Sequence, residues 1–186
     1  MRHQKRYTTD NKVIDIYDDV FSQAEREYHV EFTYKSKYTL NNAFGGSFWI
    51  KDKNIFVSSF DSEDLSNFNF LDTDSFDPIQ KTLINFDINN CYAHVSSLAS
   101  NFYYHVDTSL ENVGKTLLYY VNPRWDKNWG GETLFANRNG ECEISVEYKP
   151  GRIVVFDADI EHKATNPRVD ADEFRCVFVI HYRVNN

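Results

Sequence analysis

The sequence predicts a mainly β fold, a sandwich or barrel with helices leading in. Three observations carry this. From Ile88 onward short apolar and aromatic runs recur, each bounded by a turn signal. Before Ile88 the signals are mixed and include two helix starts, Ser22 followed by Glu25, and Asp77-Pro78. No apolar run approaches transmembrane length, so this periodicity belongs to a buried core.

In chain order, Val13-Ile14-Asp15-Ile16-Tyr17 alternates and predicts a strand. Ser22 to Tyr34 predicts a helix, with Ser22 and Glu25 as a capping box and Phe21, Ala24 and Tyr28 at helical spacing. Asn41 to Trp49 contains Gly45-Gly46 and reads as a loop or hairpin tip; Asn41 to Asn54, with Phe48 and Trp49, is a candidate lid. Ser62 to Phe70 predicts a short helix. A further helix starts with Asp77 as N-cap and Pro78 at its first position, and aligns Ile79, Leu83 and Phe86. Strands are then expected over Ile88 to Leu98, Phe102 to Asp107, Lys115 to Asn122, Gly131 to Ala136, Cys142 to Tyr148, Arg152 to Asp157 and Phe174 to Val184. Asn122-Pro123, Gly130-Gly131, Asn139-Gly140, Pro150-Gly151 and Asn166-Pro167 mark turns.

At 186 residues the chain fits one domain, with 1–87 as a strand and helix segment and 88–184 as the β core. The formal charge of -8 argues against a sequence-independent hold on nucleic acid, which needs a basic face. Cys91, Cys142 and Cys176 are odd in number and lack metal spacing. They read as buried or partly buried thiols in a reducing compartment, and a cytoplasmic protein without a membrane segment is expected.

The chemistry concentrates in His105-Val106-Asp107 and the distant His162. Residues i and i+2 of a strand share a face, so His105 and Asp107 project together. With His162 they form a two-His, one-carboxylate set, which suits Fe(II) and other divalent ions and leaves coordination positions open. Arg175 opens the apolar run Phe174 to Ile180. An arginine in such a run needs a partner, and its planar fork fits a carboxylate.

From about Ile88 to Val184 the chain resembles the 2-oxoglutarate- and Fe(II)-dependent oxygenases, in their prolyl 4-hydroxylase-like branch. The resemblance rests on Tyr92, His105-Val106-Asp107, Leu118-Tyr119-Tyr120-Val121-Asn122 with Trp125, Gly130-Gly131-Glu132-Thr133, Pro150-Gly151-Arg152 with Val155-Phe156, His162 with Asn166-Pro167, and Arg175. It implies a double-stranded β-helix, a cupin-like jelly roll flanked by helices. His105, Asp107 and His162 are implied as iron ligands, and Arg175 as the residue that holds the distal carboxylate of 2-oxoglutarate. Tyr120 is its implied second partner, Thr133 lies beside it, and Tyr92 aligns with a pocket tyrosine. Asp170-Ala171-Asp172-Glu173 lengthens the turn before Arg175, which leaves Arg183 as a rival cation; Arg175 is preferred because Arg183 lies beyond the apolar run.

Fe(II), 2-oxoglutarate and O2 follow from the resemblance as cofactor and co-substrates, with ascorbate as an accessory reductant. The implied activity is hydroxylation of a C–H bond coupled to decarboxylation of 2-oxoglutarate. A peptidyl proline is the preferred substrate. A free amino acid or other small metabolite is the alternative, and a non-catalytic jelly-roll binding module is a third reading. Period two places His181 on the face of Arg175 and His94 on that of Tyr92, which makes both candidate pocket residues. Trp125 is either a substrate contact or a cap on the core, and packing is the preferred reading.

Overall fold

The computed structural model describes residues 1–41, 54–71, 73–107 and 114–185. Its strands are β1 (Arg2–Tyr7), β2 (Val13–Asp18), β3 (Thr39–Asn41), β4 (Ile55–Ser59), β5 (Phe86–Ser96), β6 (Gly114–Tyr120), β7 (Thr133–Ala136), β8 (Cys142–Val146), β9 (Ile153–Asp157), β10 (His162–Ala164) and β11 (Arg175–Val184). The helices are α1 (Gln23–Lys35), α2 (Ser62–Phe68) and α3 (Asp77–Gln80). An eight-stranded antiparallel sheet runs β1-β2-β9-β6-β11-β5-β4-β3 and faces a three-stranded sheet, β10-β7-β8. This is the jelly-roll architecture the sequence led us to expect.

β6, β9 and β11 are buried on both faces, which explains their unbroken apolar runs. On β6, Leu117 and Tyr119 face the helices, whereas Leu118 and Tyr120 face the small sheet. Phe178 and Ile180 on β11 likewise oppose Val177 and Val179. One core is therefore a helix-side aromatic cluster of Phe21, Phe68, Phe70, Phe76, Tyr119 and Phe178. The other fills the space between the sheets with Ile14, Ile16, Phe135, Ile144, Val154 and Phe156. The second core is the wall on which the site is built.

The capping box of α1 is present: Glu25 N–H donates to Ser22 Oγ at 3.3 Å, and Ser22 N–H to Glu25 Oε2 at 2.7 Å. Its buried face differs from the expected stripe. Ala24 and Tyr28 are exposed, and His29 and Thr33 are buried instead. Both polar residues are satisfied internally, through Thr33 Oγ1 to His29 O (2.7 Å) and His29 Nδ1 to Tyr119 Oη (3.2 Å), so burial costs little. At α3 the N-cap is Phe76, with no side-chain cap, and Asp77 is already helical. Ile79 and Leu83 are buried as expected, but the helix passes into a single 3₁₀ turn and Phe86 opens β5.

Residues 102–107, expected as a strand, are extended without a ladder; His105 makes only an isolated bridge. β1, β3 and β4 were not expected. The segment Arg2–Tyr7 lacks an apolar face because it is a charged edge strand, a composition that discourages further pairing. Cys91 and Cys176 are buried, but Cys142 is exposed, against expectation, because it lies where β8 begins at the sheet margin. Residues 42–53 of the candidate lid lie outside the described residues. Among the described residues, no helix is long and apolar enough to cross a membrane.

His29 makes stability depend on pH. It is 1% exposed among Phe21, Phe68 and Phe70, and burial lowers its imidazole to about 4. The unfolded chain, with an ordinary histidine near ~6.5, takes up the proton first as pH falls. Its contribution is thus complete above about pH 6.5 and declines toward pH 4, by about 3 kcal/mol over the window. Urea unfolding at steps from pH 7.5 to 4.5 should show a shallower decline for His29→Leu than for the parent protein.

Candidate active site

His105 and His162 meet through the backbone. His105 N–H donates to His162 O at 3.0 Å, and His162 N–H donates to His105 O at 2.9 Å. β10 is in turn fixed on β7, with His162 opposite Phe135. Asp107 is tied in by its own N–H, which donates to Ala158 O at 2.9 Å. These bonds carry three side chains from two distant stretches to one point.

The donor atoms of His105, Asp107 and His162 all lie within 4.8 Å of one another. His105 Nε2 is 3.5 Å from Asp107 Oδ1, and His162 Nε2 is 3.4 Å from Oδ2. Each Nδ1 faces a carbonyl, His105 that of Tyr103 (2.8 Å) and His162 that of Ile160 (2.9 Å). A carbonyl only accepts, so each Nδ1 carries a proton, and each Nε2 faces Asp107. Burial lowers the His162 imidazole to about 4, so it is neutral at ordinary pH. Burial opposes charge on Asp107, but the imidazoles of His162, His105 and His181 outweigh it and hold the carboxyl well below the usual range. A neutral imidazole at His162 and an ionised carboxylate at Asp107 are protonation states a divalent ion takes. The donor set fits Fe(II) without rearrangement of charge.

Arg175, 1% exposed, lies at the start of β11. Its Nε donates to Gly131 O (2.8 Å), Nη1 to His94 Nε2 (3.1 Å) and Nη2 to Thr133 Oγ1 (3.3 Å). Thr133 Oγ1 also hydrogen-bonds Tyr120 Oη at 2.8 Å. The guanidinium sits 5.6 Å from the Tyr120 ring centre and 5.4 Å from that of Tyr148. Among the described residues, no carboxylate of the chain forms an ion pair with it. A buried cation supported only by neutral dipoles is costly and is suited to receive an anion. Burial and the adjacent Arg175 charge lower the His94 imidazole to about 3, which matches its role as acceptor.

His94 accepts from Arg175 and packs beside Tyr92 and Phe102. Tyr92 packs against the same core, its ring centre 5.5 Å from that of His181. His181 Nε2 lies 3.6 Å from Asp107 Oδ1. Trp125 donates from Nε1 to Gly130 O (2.9 Å) and packs on Tyr148, so it is a wall of the arginine pocket. Arg183 is exposed and takes no part.

Three contributors were not anticipated. Thr116 Oγ1 donates to Asp107 Oδ2 at 2.6 Å; its signal was the period-two step back from Tyr120 through Leu118. Tyr148, the last residue of an expected strand, stacks on Tyr120 at 4.4 Å. Gly131, at φ +83°, lets Trp125 and Arg175 close in: a Cβ there would meet Trp125 Cζ2 at 2.9 Å.

The fold is similar to that of a Pseudomonas putida prolyl-4-hydroxylase, with TM-score 0.66, 15% identity and 93% of each chain covered. It is similar to a prolyl hydroxylase from Trichoplax adhaerens in complex with a hypoxia inducible factor oxygen degradation domain peptide fragment, with TM-score 0.63, 16% identity, and 92% of this chain and 83% of that one covered. It is also similar to HygX from Streptomyces hygroscopicus with nickel and 2-oxoglutarate bound, with TM-score 0.67, 10% identity, and coverage of 95% and 84%. No curated protein sequence matches the chain. The sequence model of the 2OG-Fe(II) oxygenase superfamily matches residues 88–183, a span that holds the whole constellation from Tyr92 to His181. The chain belongs to the 2OG-Fe(II) oxygenase superfamily, whose members are dioxygenases that use Fe(II), 2-oxoglutarate and O2.

Proposed function

We propose that this dioxygenase hydroxylates a peptidyl proline, with His105, Asp107 and His162 holding Fe(II) and Arg175 holding the distal carboxylate of 2-oxoglutarate. The observation that carries the reading is the buried Arg175 guanidinium, which has no acid of its own among the described residues and lies on the same face of β11 as His181, whose Nε2 is 3.6 Å from Asp107 Oδ1 in the His-Asp-His cluster. When bound, iron with 2-oxoglutarate and O2 supplies an oxidant that hydroxylates a C–H bond and yields succinate and CO2.

The chain's own part is positioning. The His105 and His162 rings are locked by their Nδ1–H bonds to backbone carbonyls, so their Nε2 atoms stay aimed. Arg175 is held rigid by three hydrogen bonds, which leaves outer Nη protons for a carboxylate. Tyr120 and Thr133 form the polar side of that pocket, and the Tyr120 and Tyr148 rings keep water from the guanidinium. Tyr92, His94 and Trp125 line its approach.

One fact supports a peptide substrate: solved structures similar to this one include prolyl hydroxylases, one of them with a peptide fragment bound.

His105→Ala and Asp107→Ala should each abolish conversion of 2-oxoglutarate to succinate; unchanged turnover in His105→Ala would refute the assignment. Arg175→Ala should raise the KM for 2-oxoglutarate about 10- to 100-fold, the worth of a charge-assisted pair, with a smaller change in kcat. A substrate screen read by mass gain of one oxygen should favour proline-containing peptides. Oxygen gain on free amino acids alone would overturn the peptide reading and leave the oxygenase intact.

A further inference from the structure

β6 and β11 pair so that Thr116 lies directly opposite His181. Directly opposed residues share a face, and both of these point at Asp107. Thr116 Oγ1 donates to Oδ2 at 2.6 Å. His181 Nε2 faces the other oxygen, Oδ1, at 3.6 Å, just beyond hydrogen-bond length. That nitrogen is sealed from solvent and has no hydrogen-bond partner among the described residues. A carboxylate swing of about 0.5 Å would satisfy it. His181 is not itself one of the converging donors, which are His105, Asp107 and His162. Its ring is held edge-on by Tyr92, with centres 5.5 Å apart and planes at 82°.

We propose that His181 is a positioning residue for the metal-binding carboxylate: with Thr116 it forms a cross-strand clamp, the Thr116 hydroxyl on Oδ2 of Asp107 and the His181 Nε2–H on Oδ1. An ionised carboxylate offers about four lone-pair sites, so each oxygen accepts one such bond and one still faces the ion. The clamp fixes the plane of Asp107, whose N–H donates to Ala158 O at 2.9 Å. Outer partners of this kind govern metal affinity by about 10- to 100-fold. The inference rests on the reading of the His-Asp-His cluster as the metal site.

The test is calorimetric titration of Co(II) into the full chain, alongside thermal unfolding of the metal-free protein. Asp107→Ala is the control for the underlying reading. Equal Co(II) affinity in the parent and Asp107→Ala, or no binding by the parent, removes the metal-site assignment and this inference with it. With that control passed, His181→Leu should weaken Co(II) about 10- to 100-fold, and His181→Gln, which keeps an N–H donor, should stay within about threefold of the parent. Thr116→Val should weaken Co(II) in the same direction. Parent-like affinity in His181→Leu, or a Gln variant as weak as the Leu variant, overturns the clamp while the metal site stands. If His181→Leu does not fold, His181→Phe, which keeps a ring against Tyr92 without the donor, takes its place with the same outcomes.

Discussion

The reciprocal hydrogen bonds between His105 and His162 are the joint on which this site depends. Residues 102–107 belong to no sheet, and they are held against β10 at that one bridge. Without it, the imidazole from the 105 stretch and the imidazole from the 162 stretch have no shared frame. β10 in turn is anchored through β7, so the position of the second histidine is set by the three-stranded sheet. Backbone geometry does the assembly, and the side chains only complete it.

Charge is arranged around that joint with economy. The His162 imidazole is neutral, the carboxylate is ionised, and the buried Arg175 stands at the far end among hydroxyls, a carbonyl and two aromatic faces. The positive charge at Arg175 is met by His94, which accepts from it, and the negative charge at Asp107 lies near His181, further along the same face of β11. Such separation favours a ligand that is anionic at the end near Arg175, and it discourages collapse of the cavity into an internal salt bridge.

Much of this was legible in the sequence because β periodicity is strict. On β11, Arg175, Val177, Val179 and His181 do share a face, and on β6 Leu118 and Tyr120 do as well. The two-His, one-carboxylate pattern survives even though its first member is not in a strand, since extended backbone has the same alternation with or without a ladder. The misses have physical causes. β1 owes its strand state to its pairing partner, not to an apolar face of its own, and in β4 the apolar run Ile55-Phe56-Val57 is too short to stand out beside the polar residues around it. The face of α1 turned because His29 and Thr33 found internal partners that no periodicity of apolar residues reveals. Thr116 was passed over because a threonine in an apolar run signals β propensity first, and its hydroxyl becomes meaningful only when the register places it over Asp107.

Gly131 gives the arginine pocket an unusual inflexibility. Its backbone adopts a positive φ, its carbonyl accepts from Arg175, and its missing Cβ is the space that the Trp125 indole fills. Any larger residue there would strain the chain and wedge the indole away at the same time. A substitution at 131 would therefore reach Arg175 by two routes, through the carbonyl that accepts from its Nε and through the indole packed beside it.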